Sequence, residues 1–381
     1  MRIKLLILSL LCFVSAQASD STQITSRVSL EFEPAFVPGT SHYLRGDNYA
    51  NGDVNHEFSI HAKYAFSFPT ASRQWRFYPG AYQGIGLSTH IFGPDGKTLG
   101  TPVGLYIFQG APFLHRGNFT LGYEWNFGAT APWKNSNAEV PTINGSPVNA
   151  YISLALQGSW QIASHWQLTA ALEASHYSNG NTRLPNGGIN NVGLRLGATY
   201  LFSDTPAAED FQPSNEGFRR GFSYDILAYG SWRRKQVDID GAPVILDSKF
   251  GVAGISGAVM YDFHRLFRAG VGVDARYDES AGIMDYLYST YNPQKPIFER
   301  PPFHKSTSAG ISAHAEYVMP IFTIAVGFGR YLVGPAETRK FYQTLMLKTH
   351  LTGPLYLAVG YELHNFNIPN NLILGLACTL H

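Results

Sequence analysis

Apolar and polar side chains alternate in segments of about ten residues along most of this chain, the pattern of a β-strand with unlike faces. From Glu57 to Phe68 every even position is apolar and almost every odd one polar. Ile152, Leu154, Leu156, Gly158 and Trp160 alternate with Ser153, Gln157, Ser159 and Gln161, and Ala309, Ile311, Ala313, Ala315 and Tyr317 with Ser308, Ser312, His314 and Glu316. Helical periodicity is nearly absent, so the chain reads as all-β. Beyond the first twenty residues nothing approaches the ~18 consecutive apolar positions of a membrane helix.

Two architectures satisfy such alternation: soluble sandwiches with the apolar face on a core, or a transmembrane antiparallel β-barrel with the apolar face on lipid. Connection lengths favour the barrel. Roughly sixteen strands (range about 12–16) separate long connections near 38–53, 92–100, 128–147, 179–188, 236–249 and 279–306 from short ones near 111–116, 162–164, 264–266, 319–320 and 352–354. Long loops outside and tight turns in the periplasm are the outer-membrane habit. The connections 69–78 and 203–220 are too long for periplasmic turns, and 366–369 is short for an outer loop. Tyr64, Phe68, Trp125, Trp160, Trp166 and Tyr200 at strand ends suit interfacial girdles. Composition agrees: only 14% of residues are charged, against roughly a quarter in soluble domains. A net charge of +1 lacks the basic excess of a nucleic-acid binder.

The N-terminus reads as a signal peptide over residues 1–18, with Arg2 and Lys4 before an apolar run from Leu5 to Val14 and Ala16-Gln17-Ala18 as the cleavage site. Removing it takes Cys12 and leaves Cys378 alone, so no internal disulfide forms. Leu11 is too bulky for Cys12 to read as a lipoprotein cysteine. The expected division is 19–203, a polar linker or turn at 204–220, and further barrel strands over 221–381. Because the linker splits the strands into eight and eight, two tandem eight-stranded barrels are the alternative to one wide barrel.

The sharpest local signal runs from Ser175 to Asn190, SHYSNGNTRLPNGGIN, between two strands. On the first strand Trp166, Leu168, Ala170, Leu172 and Ala174 form the outward row, which His176 and Ser178 continue. On the returning strand Asn190 heads the outward row of Val192, Leu194, Leu196, Ala198 and Tyr200. Side chains at i and i+2 on a strand are parallel and roughly 6–7 Å apart, within reach of proton transfer. A histidine makes a serine a competent nucleophile, and one aimed at lipid implies a lipid ester as substrate. The bland reading is that these are headgroup-level residues and a turn, since Asn-Gly pairs are ordinary turn formers.

At these residues the sequence resembles the outer-membrane lipid A deacylases known as PagL, whose signature is a His-x-Ser-Asn strand end followed by a Pro-Asn turn. The resemblance extends loosely over residues 27–203, through Tyr106-Ile-Phe-Gln-Gly110 and Tyr123-Glu-Trp-Asn-Phe-Gly128, and nothing is matched after about 220. It implies a metal-free eight-stranded barrel that hydrolyses the ester-linked 3-hydroxyacyl chain of lipid A or lipopolysaccharide in the bacterial outer membrane. Ser178 would be the nucleophile and His176 the general base, with Asn179, Asn186 or the backbone at Gly187 near the oxyanion. The family's acid falls at Asn190, which would orient the imidazole as an amide.

Glu173 faces the lumen by parity, where Arg195 is its natural partner. His364-Asn365-Phe366-Asn367 echoes the motif but has Phe where the serine would stand and faces inward. No histidine spacing fits a metal and no glycine loop fits a phosphate cofactor, so none is expected. The other classes to weigh are a non-catalytic porin-like or hydrophobic-compound channel, which a wide barrel would favour, and an outer-membrane phospholipase using the same serine and histidine.

Overall fold

The computed structural model describes residues 23–48, 51–93, 99–134, 142–204, 211–288, 296–366 and 368–381. The expected signal peptide, with Cys12, lies outside them. Strands β1 (Thr25–Phe36), β2 (His56–Ser67), β3 (Tyr82–Phe92), β4 (Val103–Arg116), β5 (Phe119–Ala131), β6 (Asn149–Ala163), β7 (Trp166–Ser178) and β8 (Ile189–Leu201) form a closed antiparallel barrel. It closes by pairing β1 with β8, Arg27 opposite Leu201.

A second closed barrel is made from β9 (Gly221–Arg233), β12 (Phe250–His264), β13 (Phe267–Asp278), β16 (Thr307–Val318), β17 (Phe322–Val333), β18 (Phe341–Thr352), β19 (Leu355–His364) and β20 (Ile368–Leu380), with β20 returning to β9. Two hairpins decorate its loop end, β10 (Gln236–Ile239) with β11 (Ala242–Ile245) and β14 (Leu287–Tyr288) with β15 (Ile297–Phe298). The strands counted in sequence are present, closed as the tandem pair and not as one wide barrel.

Burial runs opposite to that of a soluble sandwich. Along β2, Glu57, Ser59, His61 and Lys63 are buried while Phe58 and Tyr64 stand 39% and 41% exposed, which only a lipid-facing wall tolerates. An eight-stranded barrel is just wide enough for side chains to fill it. In the first, Arg195 contacts Glu31, Glu124 and Glu173 at 3.1, 2.7 and 2.6 Å, and Lys63 adds pairs to Glu31 and Glu124 at 2.8 and 2.6 Å. The expected Glu173–Arg195 pair is therefore present. In the second, Lys348 and Arg268 share Asp225 and Glu316, and Arg276 pairs with Glu362. The wide lumen that would have favoured a channel is not formed.

The two walls meet along one seam. Trp125, expected in a girdle, is instead buried against Met319, Phe322 and Leu347 of the second barrel. Gln109, on the outward row of β4, is fully buried there, accepting from Trp125 Nε1 at 2.8 Å and Tyr123 Oη at 3.2 Å. Tyr123 and Tyr317 hydroxyls are 3.0 Å apart. An amide on a lipid-facing row is costly unless its partners come with it, and the seam supplies them. The long 68–81 connection also gains a reason. Its short helix α1 (Arg73–Phe77), capped by Ser72, docks at the turn end of the second barrel, where Arg265 Nε donates to Phe77 O at 2.9 Å and Tyr78 Oη to Arg265 O at 3.3 Å.

Candidate active site

His176 and Asn190 are direct register partners on β7 and β8, at the end of the first barrel that carries its long connections. Both belong to outward rows, as parity requires. The imidazole Nδ1 lies 2.7 Å from Asn190 Oδ1. An amide oxygen only accepts, so Nδ1 carries the proton and Nε2 is left with a lone pair, the tautomer a general base needs. Ser178, opposite Ala150 on β6, sits two residues further along the same row and half-buried. No hydrogen bond joins it to His176, a gap of the kind that apo sites show before substrate tightens them.

The turn beyond Ser178 is braced by its amides. Asn179 N donates to Asn186 Oδ1 at 2.9 Å, Asn186 Nδ2 to Asn181 Oδ1 at 3.1 Å, and Arg183 N to Asn179 Oδ1 at 3.3 Å. Of the candidate oxyanion donors, the Gly187 backbone is corrected: its N–H is spent on Ile143 O at 2.9 Å. Asn179 Nδ2 has no partner among the described residues although the residue is only 5% exposed. Asn186 keeps one amide hydrogen beyond its bond to Asn181.

Gly188 is a site residue the sequence reading missed. Its φ of +66° lies in the left-handed region, and a Cβ there would sit 3.0 Å from His176 Cε1. Asn144, paired with Asn186 in an isolated bridge, is also buried with neither amide atom bonded. A Gly-Gly pair beside the motif was the available signal for the first; Asn144 had none.

Other Ser–His pairs face inward. Ser88 Oγ is 2.7 Å from His90 Nε2, and His90 Nδ1 is 2.6 Å from Glu57 Oε1, a complete relay by distance. Yet Ser88, His90 and Glu57 are 4%, 1% and 3% exposed inside the packed lumen, where a lipid ester does not reach. In the second barrel Ser312 lies between Asp274 and His314 at 2.5 and 2.7 Å, so the histidine is not the residue held by the acid. His364 is buried against Glu362 and Asn370, as its parity required. Among the described residues no group of His, Cys, Asp and Glu is arranged to hold a metal ion.

The comparisons with known proteins fall on both barrels. A sequence model of the family described as lipid A 3-O-deacylase (PagL) matches residues 144–199, which contain every residue of the site. A second, described as the acyloxyacyl hydrolase C-terminal domain, matches residues 222–381. The stretch that resembled nothing from sequence thus has a family match of its own. No curated protein matches the chain. Similar solved structures include the outer-membrane enzyme PagL, 14% identical with TM-score 0.31 over 45% of this chain and 97% of that one. Neisserial surface protein A is 8% identical with TM-score 0.32, over 47% and 98%. An outer-membrane channel from Pseudomonas putida F1 is 9% identical with TM-score 0.21, over 94% and 96%. The chain thus carries a family match in each barrel, lipid A 3-O-deacylase over residues 144–199 and the acyloxyacyl hydrolase C-terminal domain over residues 222–381, on a fold of the bacterial outer membrane.

Proposed function

We propose that this protein is a serine esterase that hydrolyses an ester-linked hydroxyacyl chain from lipid A in the outer leaflet. The observation that carries the reading is the His176–Asn190 hydrogen bond on the lipid-facing wall, with Ser178 next on the same row. The acyl chain approaches sideways from the bilayer. Ser178 Oγ attacks the ester carbonyl as His176 Nε2 takes its proton, and the tetrahedral oxyanion is met by Asn179 Nδ2 and the remaining Asn186 amide hydrogen. Collapse expels the sugar oxygen, which receives the proton from His176. A water deprotonated by His176 then cleaves the acyl-enzyme, releasing the hydroxy fatty acid and restoring Ser178. Asn190 is a positioning residue: its carbonyl oxygen keeps the imidazole in the tautomer with Nε2 free.

The test is mass spectrometry of lipid A from cells expressing wild type or Ser178→Ala. Loss of one hydroxyacyl mass only with Ser178 intact supports the reading. An unchanged lipid A in both strains refutes it, and release of fatty acid from glycerophospholipid instead would reassign the same site to a phospholipase.

A further inference from the structure

The motif's turn does not belong to the first barrel alone. Gly180, two residues beyond Ser178 and at φ +62°, lies against the isobutyl group of Leu372 on the outward row of β20, so closely that a Cβ at 180 would overlap it. One residue further, Asn181 O accepts the backbone N–H of Arg234, just past the end of β9, at 2.8 Å. Asn181 is the residue whose side chain takes Asn186 Nδ2, and Asn186 in turn holds the Asn179 amide. An unbroken series of contacts therefore runs from β9 and β20 of the second barrel to the Asn186 side chain and the Asn179 backbone. The seam at Trp125 and the dock at Arg265 hold the second barrel near its turn end, so these contacts at the loop end are made by a body already held at the other.

Building on the esterase reading, we propose that the second barrel is a working part of the hydrolytic site: Leu372 and the Arg234 amide position the 179–186 turn so that its donors meet the oxyanion. This gives residues 222–381 a role although they carry no serine–histidine motif of their own on the outer wall. A glycine-rich, amide-rich turn held only by its own strands would sample several conformations, and a donor displaced by about an ångström loses most of its transition-state advantage. Leu372 and Arg234 act through the turn and are positioning residues.

The test uses the full chain in detergent micelles with purified lipid A as substrate, comparing Leu372→Ala with Leu372→Met and with Leu376→Ala, an exposed residue further along the same row. Leu372→Ala is expected to lower kcat roughly tenfold, a fraction of the 10²–10³ lost with a whole oxyanion donor. KM should stay within about twofold, since ground-state binding is untouched. Hydrogen exchange of amides 179–186 should rise in the same variant, Leu372→Met should restore both readouts, and Leu376→Ala should match wild type. Unchanged exchange overturns the inference, as does faster exchange with unchanged kcat. Turnover lost in Ser178→Ala but kept in Leu372→Ala refutes only the second barrel's role, whereas turnover that survives Ser178→Ala refutes the esterase reading and this inference with it.

Discussion

Replacing Asn190 by aspartate isolates the charge of the third site residue. The substitution keeps side-chain length, so the carboxylate oxygen can occupy the place of Oδ1, 2.7 Å from His176 Nδ1. A hydrogen bond to a charged acceptor is worth about 1.5–3 kcal/mol against about 0.5–1.5 for a neutral one, a gain of roughly 1–1.5 kcal/mol. Because the imidazolium exists only as Ser178 attacks, the gain falls on the transition state and corresponds to about a tenfold rise in kcat. In a buried serine-protease triad the same exchange is worth about 10⁴. Asn190 is exposed, however, and solvent and headgroups screen a charge there, so the smaller figure is expected. Asn190→Glu also supplies a carboxylate but adds a methylene, and its gain should be no larger. Asn190→Ala removes the acceptor and should lower kcat at least about tenfold. The assay is initial-rate release of hydroxy fatty acid from lipid A micelles by wild type, the three Asn190 variants and Ser178→Ala. If Ser178→Ala is inactive while Asn190→Ala and Asn190→Asp both turn over at the wild-type rate, the orienting role of Asn190 is wrong.

Gly188→Ala should cost about 1–2 kcal/mol through its left-handed backbone and reduce kcat by displacing the His176 ring, which its Cβ would meet at 3.0 Å; an unchanged kcat in a folded variant would show that the ring has room to move. Arg195→Met leaves Glu173 with only the Tyr151 hydroxyl, at 2.9 Å, as a hydrogen-bond donor among the described residues and should destabilise the first barrel by about 3–5 kcal/mol. Urea unfolding followed by tryptophan fluorescence would measure it, and a loss below about 1 kcal/mol would mean that the lumen carboxylates do not depend on that guanidinium. Gln109→Leu strips one acceptor from each of Trp125 and Tyr123 inside the seam, leaving Met319 Sδ at 3.4 Å and the Tyr317 hydroxyl at 3.0 Å as their partners, and should cost about 1 kcal/mol. Its expected sign is separate unfolding of the two barrels where the wild type unfolds in one step, read by the same titration.

The strands and their faces were legible because lipid and lumen are opposite solvents, so a period of two labels each side chain. That is why parity alone puts His176, Ser178 and Asn190 on one wall and sets Glu173 and His364 aside as inward-facing. Closure was not legible. Alternation is the same whether β8 returns to β1 or continues to β9; the pairing of Arg27 with Leu201 decides it, and that is a long-range hydrogen-bonding choice. The polar segment at 204–220 allowed the division without requiring it. Gly188 escaped because its role lies in the space it leaves to a ring on the neighbouring strand.

Gln109 carries the more general lesson. It interrupts an apolar outward row at Val103, Leu105 and Ile107, and a lone amide on such a row has to be paired and covered: Trp125 and Tyr123 of the next strand pair it, and the second barrel covers them. That exception to the pattern was the available sign that the first barrel does not meet lipid on every side. Trp125, assigned to a girdle by type and position, shows the same thing from the partner's direction, since its ring is covered by Met319, Phe322 and Leu347. The wall of the first barrel is covered around Gln109 and Trp125, while the outward rows of β6 and β7 stay open to lipid up to the site at the β7–β8 end. A substrate entering sideways there has the second barrel on one flank, which is where Leu372 and Arg234 touch the turn beyond the serine.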